Sequence, residues 1–240
     1  LPDSVLDNPA WSALAGPQRA LASATALAGR FDPEISPFGG FSEAPSPDHW
    51  RDLAELIGPS GSVALVGVNG VPLSDWTLLR AIPGVQMVFN PSGAATGTQP
   101  GTSHLPKEPE EDPLLPLGDK DVGDMLALVA LAQPGPFLSR TVEFGGYLGI
   151  RRGGQLIAMA GQRLRPPGYT EISAVATDPD HRRKGLAERL VLALVEAVLE
   201  RGETPFLHAS ADNLNAIRLY ERLGFTLRRE VTFSVVQAPS

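Results

Sequence analysis

Between residues 114 and 236, short apolar runs with strand character alternate with amphipathic stretches of helical period, and that alternation confines the chain to an α/β fold. Residues 114–117 read as a short strand. Residues 119–131 read as a helix with Met125, Leu126, Val129 and Leu131 on its apolar side, stopped by Pro134-Gly135-Pro136. Two strands are expected over 146–151 and 155–163, joined at Gly153-Gly154, and a third over 169–177, closed by Asp178-Pro179. A long helix follows over 185–201, because Ala187, Leu190, Val191, Leu194, Val195 and Val198 recur at helical spacing. A strand at 206–210, a helix at 213–223 stopped by Gly224, and a strand at 225–236 complete the pattern.

The first 90 residues are mixed in character. Residues 10–28 are rich in Ala and Leu and read as a helix, and 49–57 as a shorter one after Ser46-Pro47-Asp48. Residues 62–68 and 71–73 flank Asn69-Gly70, the dipeptide that favours the type I′ turn of a hairpin. Residues 85–89 suggest another strand. Residues 91–113, rich in Pro, Gly, Ser and Thr and ending in acid, read as a linker. They separate an N-terminal α/β unit (1–90), whose role the sequence does not disclose, from a larger unit (114–240).

Composition removes several function classes. The net charge of −7 does not favour a polyanion, and no basic run exceeds Arg182-Arg183-Lys184, so nucleic acid is not an expected partner. The absence of cysteine removes disulfides, thiolate metal sites and a cysteinyl acyl-enzyme. The four histidines show no ligand spacing, so no metal is expected. The apolar run at 190–199 is too short to span a bilayer, and the first residues carry no basic segment leading into an apolar one. We expect a cytoplasmic protein, monomeric or homodimeric, without a membrane partner.

The segment Arg182-Arg183-Lys184-Gly185-Leu186-Ala187 sits between a strand end and the long helix. A glycine there admits close approach of a ligand, and the first amides of the helix, with its positive dipole end, make an anion site suited to a diphosphate. A basic turn that merely starts a helix is the plainer reading. R-x-x-G-x-A, followed downstream by Asn213-Leu-Asn-Ala-Ile-Arg-Leu-Tyr-Glu-Arg-Leu-Gly-Phe225, resembles the two signatures of the GNAT acetyltransferase superfamily in their usual order. The resemblance covers residues 114–236. It is nearer the glycine N-acyltransferase-like branch through the run Glu171-Ile-Ser-Ala-Val-Ala-Thr-Asp-Pro-Asp-His181. It implies a mixed, largely antiparallel sheet flanked by helices; it leaves the first 110 residues unexplained, and we expect the smaller N-terminal α/β unit to pack against that sheet.

It further implies acetyl-CoA as acyl donor and the amine of a small molecule or amino acid as acceptor. The backbone of Val175, Ala176 and Thr177 would pair with the pantetheine arm where two strands splay. The amides of Arg183, Lys184, Gly185, Leu186, Ala187 and Glu188, with the charge of Arg182, would cradle the pyrophosphate. Asn213 would reach the coenzyme, or serve as a helix N-cap, or both. Tyr220 is the candidate acid for the departing thiolate, although it also shares a face with Ala216 and Leu223 and so suits a core position. Two residues compete as the base that frees the amine. Glu171, on the strand leading to the coenzyme motif, would share a face with Tyr169, Ser173 and Val175; a solvated strand charge is its plainer reading. His208 lies on the next strand, where a structural histidine is the alternative. Only one strand fits after Phe225, where many members of the superfamily have two. The missing edge would come from the N-terminal half, stay open, or be shared with another subunit. The acceptor wall is expected at 135–141, with the N-terminal half closing over it. Two other readings are a protein N-terminal acetyltransferase and a non-catalytic acyl-CoA sensor.

Overall fold

The computed structural model describes residues 3–68, 75–90 and 112–240. Among them a small antiparallel sheet contains β1 (Ala22–Ala24), β2 (Ala28–Phe31) and β3 (Gly39–Phe41). The main sheet contains β4 (Ser62–Val66), β5 (Thr77–Phe89), β6 (Leu115–Leu117), β7 (Tyr147–Arg152), β8 (Gln155–Gln162), β9 (Tyr169–Thr177), β10 (Thr204–Ser210) and β11 (Phe225–Gln237). Its order is β4-β11-β5-β10-β9-β8-β7-β6. Every neighbouring pair is antiparallel except β9 and β10, which run parallel. The helices are α1 (Pro9–Leu14), α2 (Pro47–Ile57), α3 (Val122–Ala132), α4 (Leu186–Glu200) and α5 (Leu214–Arg222). A mixed, mostly antiparallel sheet flanked by helices is the fold class that the alternation led us to expect.

The two faces of the sheet have different covers. On one, α4 and α5 pack over Met87, Ile172, Leu207 and Phe225. The buried stripe of α4 is Leu186, Leu190, Val191, Leu194, Val195 and Val198, each stabilising by about 1.5–3 kcal/mol through burial. On the other, α3 covers Met159, Ala174 and Ala176, while α1 and β2 cover Tyr169, Phe206 and Val231. A further cluster joins α2 to β3, β4 and the end of β11, with Trp50 centred 4.9 Å from both Phe41 and Trp76.

Several elements depart from the sequence reading. Residues 10–28 do not form one helix: α1 stops at Leu14 and the chain turns into β1 and β2. The break lies at Gly16-Pro17, since proline disfavours helical geometry in the residue before it, and tertiary pairing then overrides the helix propensity of the alanines. In α3 the core-facing residues are Met125 and Leu128, whereas Leu126 and Leu131 are exposed. β4 pairs with β11, and the expected Asn69-Gly70 hairpin lies outside the described residues, as do residues 91–111 of the expected linker.

The strand missing after Phe225 is supplied from the N-terminal half. β5 lies between β10 and β11, antiparallel to both, and β4 adds a further strand beyond β11. The position at residue 90 therefore falls between strands of one sheet. A polypeptide of residues 112–240 would leave β11 without a backbone partner and β10 with only its short ladder to β9, and we expect it to show no cooperative thermal transition by circular dichroism. A melt as sharp as that of the full chain would contradict this.

Candidate functional site

The site begins where the parallel ladder fails. β9 and β10 pair only from Tyr169 opposite Thr204 to Glu171 opposite Phe206, yet β9 runs on to Thr177 and β10 to Ser210. From there the strands diverge, each held from its far side: β10 by β5, and β9 by β8. The ladder of β8 with β9 also shifts register between Met159 and Gly161. Ala174 occupies the bulge with φ of 51°, a left-handed conformation costly for a residue with a Cβ. The extra residue reverses the alternation. Val175 therefore packs with Ile172 toward α4, on the face opposite Glu171, contrary to the expectation that Glu171 and Val175 share a face. The backbone of 172–177 thus lines the open edge of the fork.

The fork leads to the start of α4. Gly185 caps the helix with φ of 75°, and a Cβ built there meets no heavy atom within 4 Å, so the space in front of it is open. Arg189 N–H donates to Gly185 O at 3.0 Å, closing the first turn, and the preceding amides of Leu186, Ala187 and Glu188 have no carbonyl behind them in the helix. Arg182, Arg183 and Lys184 are exposed beside this end. Arg182 Nε reaches Thr177 O at 3.3 Å and Lys184 Nζ reaches Asp180 O at 3.2 Å, which ties the basic turn back to the end of β9. Arg183, with φ of 62°, turns its backbone toward the helix start. The arrangement suits a diphosphate.

Asn213 caps α5, its Oδ1 accepting from Ala216 N–H at 3.2 Å, which leaves its amide N–H₂ for other contacts. Tyr220 lies about two turns along α5 from Asn213, in the cluster that also contains Ile172 and Leu207, the residues just past the last backbone pair of the fork. Its ring meets Phe225 edge-on at 6.0 Å. Burial pushes its phenol up to about 12.

Glu171 and His208 come together, but not as accessible bases. Glu171 is fully buried. Oε1 accepts from Arg163 Nη2 at 2.5 Å and lies 2.7 Å from His208 Nδ1; Oε2 accepts from Arg163 Nε at 2.9 Å and Leu164 N–H at 3.2 Å. Burial by itself would push this carboxyl up, but the Arg163 charge and hydrogen bonds, with the hydrogen bond from His208, outweigh it and hold the carboxyl well below the usual range. His208 Nε2 in turn sits 3.1 Å from Gln86 Nε2. The Gln86 oxygen accepts from Arg228 at 2.8 Å and its nitrogen donates to Leu6 O at 2.9 Å, which fixes the amide orientation. His208 must then accept at Nε2 and donate from Nδ1, the neutral tautomer set by its two partners. Arg228 continues to Asp7 at 2.7 Å. One row of side chains thus crosses β11, β5, β10 and β9 to Arg163, just past β8. Sequence reasoning missed Arg163, Gln86 and Arg228; the only available signal was polar residues at inward positions of strands.

A solved structure from Novosphingobium aromaticivorans, assigned to the GNAT family of acetyltransferases, is 36% identical to this chain, covers 98% of it and 99% of its own length, and superposes with a TM-score of 0.81. The chain belongs to the GNAT family. The FR47-like protein family model matches residues 147–234, from β7 into β11. A mycothiol acetyltransferase of Mycobacteroides abscessus is 32% identical over 108 residues, 45% of this chain and 34% of that protein. The ribosomal protein bS18-alanine N-acetyltransferase of Escherichia coli K12 is 44% identical over 59 residues, 23% of this chain and 40% of that protein. The chain thus matches well under two thirds of the length of these curated relatives.

In this GNAT chain the Glu171 ion pair makes a pH prediction with a definite sign. Its folded carboxyl titrates below the unfolded one, so its contribution is fully present above an unfolded pKa of about 4.3 and is lost as pH falls through the folded value. We expect Glu171→Gln to lower stability at neutral pH by about 3 kcal/mol, since one partner of a buried pair is removed. The variant should also flatten the loss of stability on acidification below pH ~4.3. Urea midpoints across that range provide the check, and parallel pH curves for wild type and variant would contradict it.

Proposed function

We propose that this protein transfers an acetyl group from acetyl-CoA to the amine of a small molecule or amino acid by direct attack. The observation that carries the reading is the fork of β9 and β10 opening onto the first amides of α4. The backbone at Val175, Ala176 and Thr177 binds the pantetheine arm as an added strand. The amides from Arg183 to Glu188, with the charge of Arg182, Arg183 and Lys184, hold the pyrophosphate. The Asn213 amide N–H₂ contacts the coenzyme from α5 while its oxygen stays on the helix cap.

The amine nitrogen attacks the thioester carbonyl carbon, the C–S bond breaks, and the proton lost from nitrogen balances the one gained by sulfur. Tyr220 supports the departing sulfur. A phenol near 12 stays protonated at any working pH and is always ready to donate. A coenzyme thiol of pKa about 8.5 is the stronger acid, so the phenol stabilises the thiolate as a hydrogen-bond donor and does not surrender its proton outright. Glu171 accepts four hydrogen bonds and is a weak base in that state; His208 is engaged at both nitrogens. We assign both to holding the strands at the fork. The amine reaches the thioester neutral or loses its proton through water.

A small acceptor is favoured over a protein terminus because the N-terminal half covers the expected acceptor wall. Arg140 Nη1 pairs with Asp32 at 2.8 Å and Thr141 Oγ1 donates to Ile35 O at 2.6 Å. The finer likeness to the glycine N-acyltransferase-like branch rests on the run from Glu171 to His181 alone.

Tyr220→Phe is expected to lower kcat by about 10²-fold or more while leaving acetyl-CoA affinity intact. An unchanged kcat would remove the hydrogen-bonding role of Tyr220 at the sulfur, and binding of coenzyme without turnover of any amine would favour the sensor reading. Gly185→Val, adding a β-branched side chain at positive φ in front of the amides, should weaken coenzyme A binding about tenfold or more by calorimetry. Equal affinity would sink the pyrophosphate assignment.

A further inference from the structure

A cavity of about 490 Å³ opens where β1 and β2 meet the loop between α3 and β7. Its walls include Ser23, Arg30, Asp32, Leu56, Arg140 and Glu143. Strand alternation aims Arg30 toward α2, together with Ala28, which packs on Trp50 and Leu53, while Phe31 points the other way into the α1 cluster. Arg30 is half-buried, and Leu56 of the last turn of α2 lines the cavity beside it.

The charges in the cavity are unequally satisfied. Asp32, Glu34 and Glu143 all turn to Arg140, at 2.8, 3.5 and 2.5 Å. The second Asp32 oxygen accepts the Glu34 amide at 2.9 Å, and the second Glu143 oxygen accepts from Arg140 at 3.0 Å. Arg30 makes one hydrogen bond, from Nε to Phe31 O at 3.1 Å. Among the described residues its two terminal nitrogens have no protein acceptor. Burial pulls its pKa down, with Asp32 compensating in part. A half-desolvated guanidinium with its outer edge open toward a cavity is built for a planar, bidentate anion.

We propose that this cavity binds a small organic carboxylate, held edge-on by Arg30, with its carbon skeleton against Leu21 and Leu56, both of which line the cavity. The wall that carries Arg140 and Glu143 also carries Val142, which packs in one cluster with Ala174 and Ala176 of the fork strand. The cavity therefore backs onto the acceptor side of the proposed reaction. The carboxylate belongs either to the acceptor itself or to an effector that is not consumed. The acceptor form rests on the acetyl-transfer reading; the binding site does not.

The test is calorimetry on the full chain with L-alanine, L-leucine and L-phenylalanine beside ethylamine, isoamylamine and phenethylamine, the amines lacking their carboxyl groups. At least one acid is expected to bind about tenfold or more tightly than its amine. Arg30→Gln should bring that acid down to the affinity of its amine, with the affinity for coenzyme A unchanged. Ser23→Asp, whose side chain stands across the strand pair from Arg30, should occupy the guanidinium and abolish acid binding as well. Consumption of the bound acid in the presence of acetyl-CoA identifies the acceptor, and binding without consumption identifies an effector. Failure of all three acids to bind, or equal binding to wild type and both variants, overturns the proposal. Failure of any amine to be acetylated, with acid binding retained, would count against acetyl transfer and leave the carboxylate site standing.

Discussion

The Glu171 carboxylate is the contact on which the rest of the site depends. It sits at the last backbone pair between two parallel strands, where the ladder ends and the fork begins. A fork in a sheet leaves amides and carbonyls unpaired, and the strands would tend to close over that gap or fray. The bond from His208 to Glu171 ties β10 to β9 just as their backbone bonds stop, and Arg163 neutralises the charge from the β8 side. A buried carboxylate is tolerable only with such full satisfaction, since desolvating it without partners would cost several kcal/mol. The stacking of Arg163 over Phe38, 4.8 Å from the ring centre, extends the arrangement to the N-terminal half.

This explains why the N-terminal half does more than accompany the architecture of the C-terminal one. Gln86 of β5 orients His208, Leu6 anchors Gln86, and Asp7 pairs with Arg228. The arginines Arg228 and Arg229 hold the Asp7 carboxyl below its ordinary range, Arg228 foremost through its hydrogen bond. Segments far apart in the chain thus meet along one line across the sheet. The same half reaches the proposed acceptor wall through the contacts of Arg140, so the fork and that wall are both set by residues outside the family signatures.

Much of the C-terminal fold was legible because its elements obey simple periods. The stripe of α4 and the glycine before it were visible as spacing, as was the strand ending at Thr177. The face of Val175 was not, because one bulge at Ala174 reverses alternation and leaves no mark in an alanine-rich run. Residues 10–28 misled for a related reason: their alanines favour a helix locally, while Gly16-Pro17 and pairing with distant residues decide the outcome. The candidate residues Glu171 and His208 were recognisable as ionisable groups on neighbouring strands. Their mutual bond depends on a parallel register and on Gln86, a residue more than a hundred positions away, and sequence spacing carries neither.

The fork as a coenzyme site is the central claim, and a crystal structure of the protein soaked with acetyl-CoA tests it most directly. The pyrophosphate is predicted within hydrogen-bond distance of the amides between Arg183 and Glu188, the pantetheine arm along residues 172–177, and the sulfur beside the Tyr220 hydroxyl. Coenzyme bound away from the start of α4, or a fork that stays empty at saturating ligand, would contradict the account.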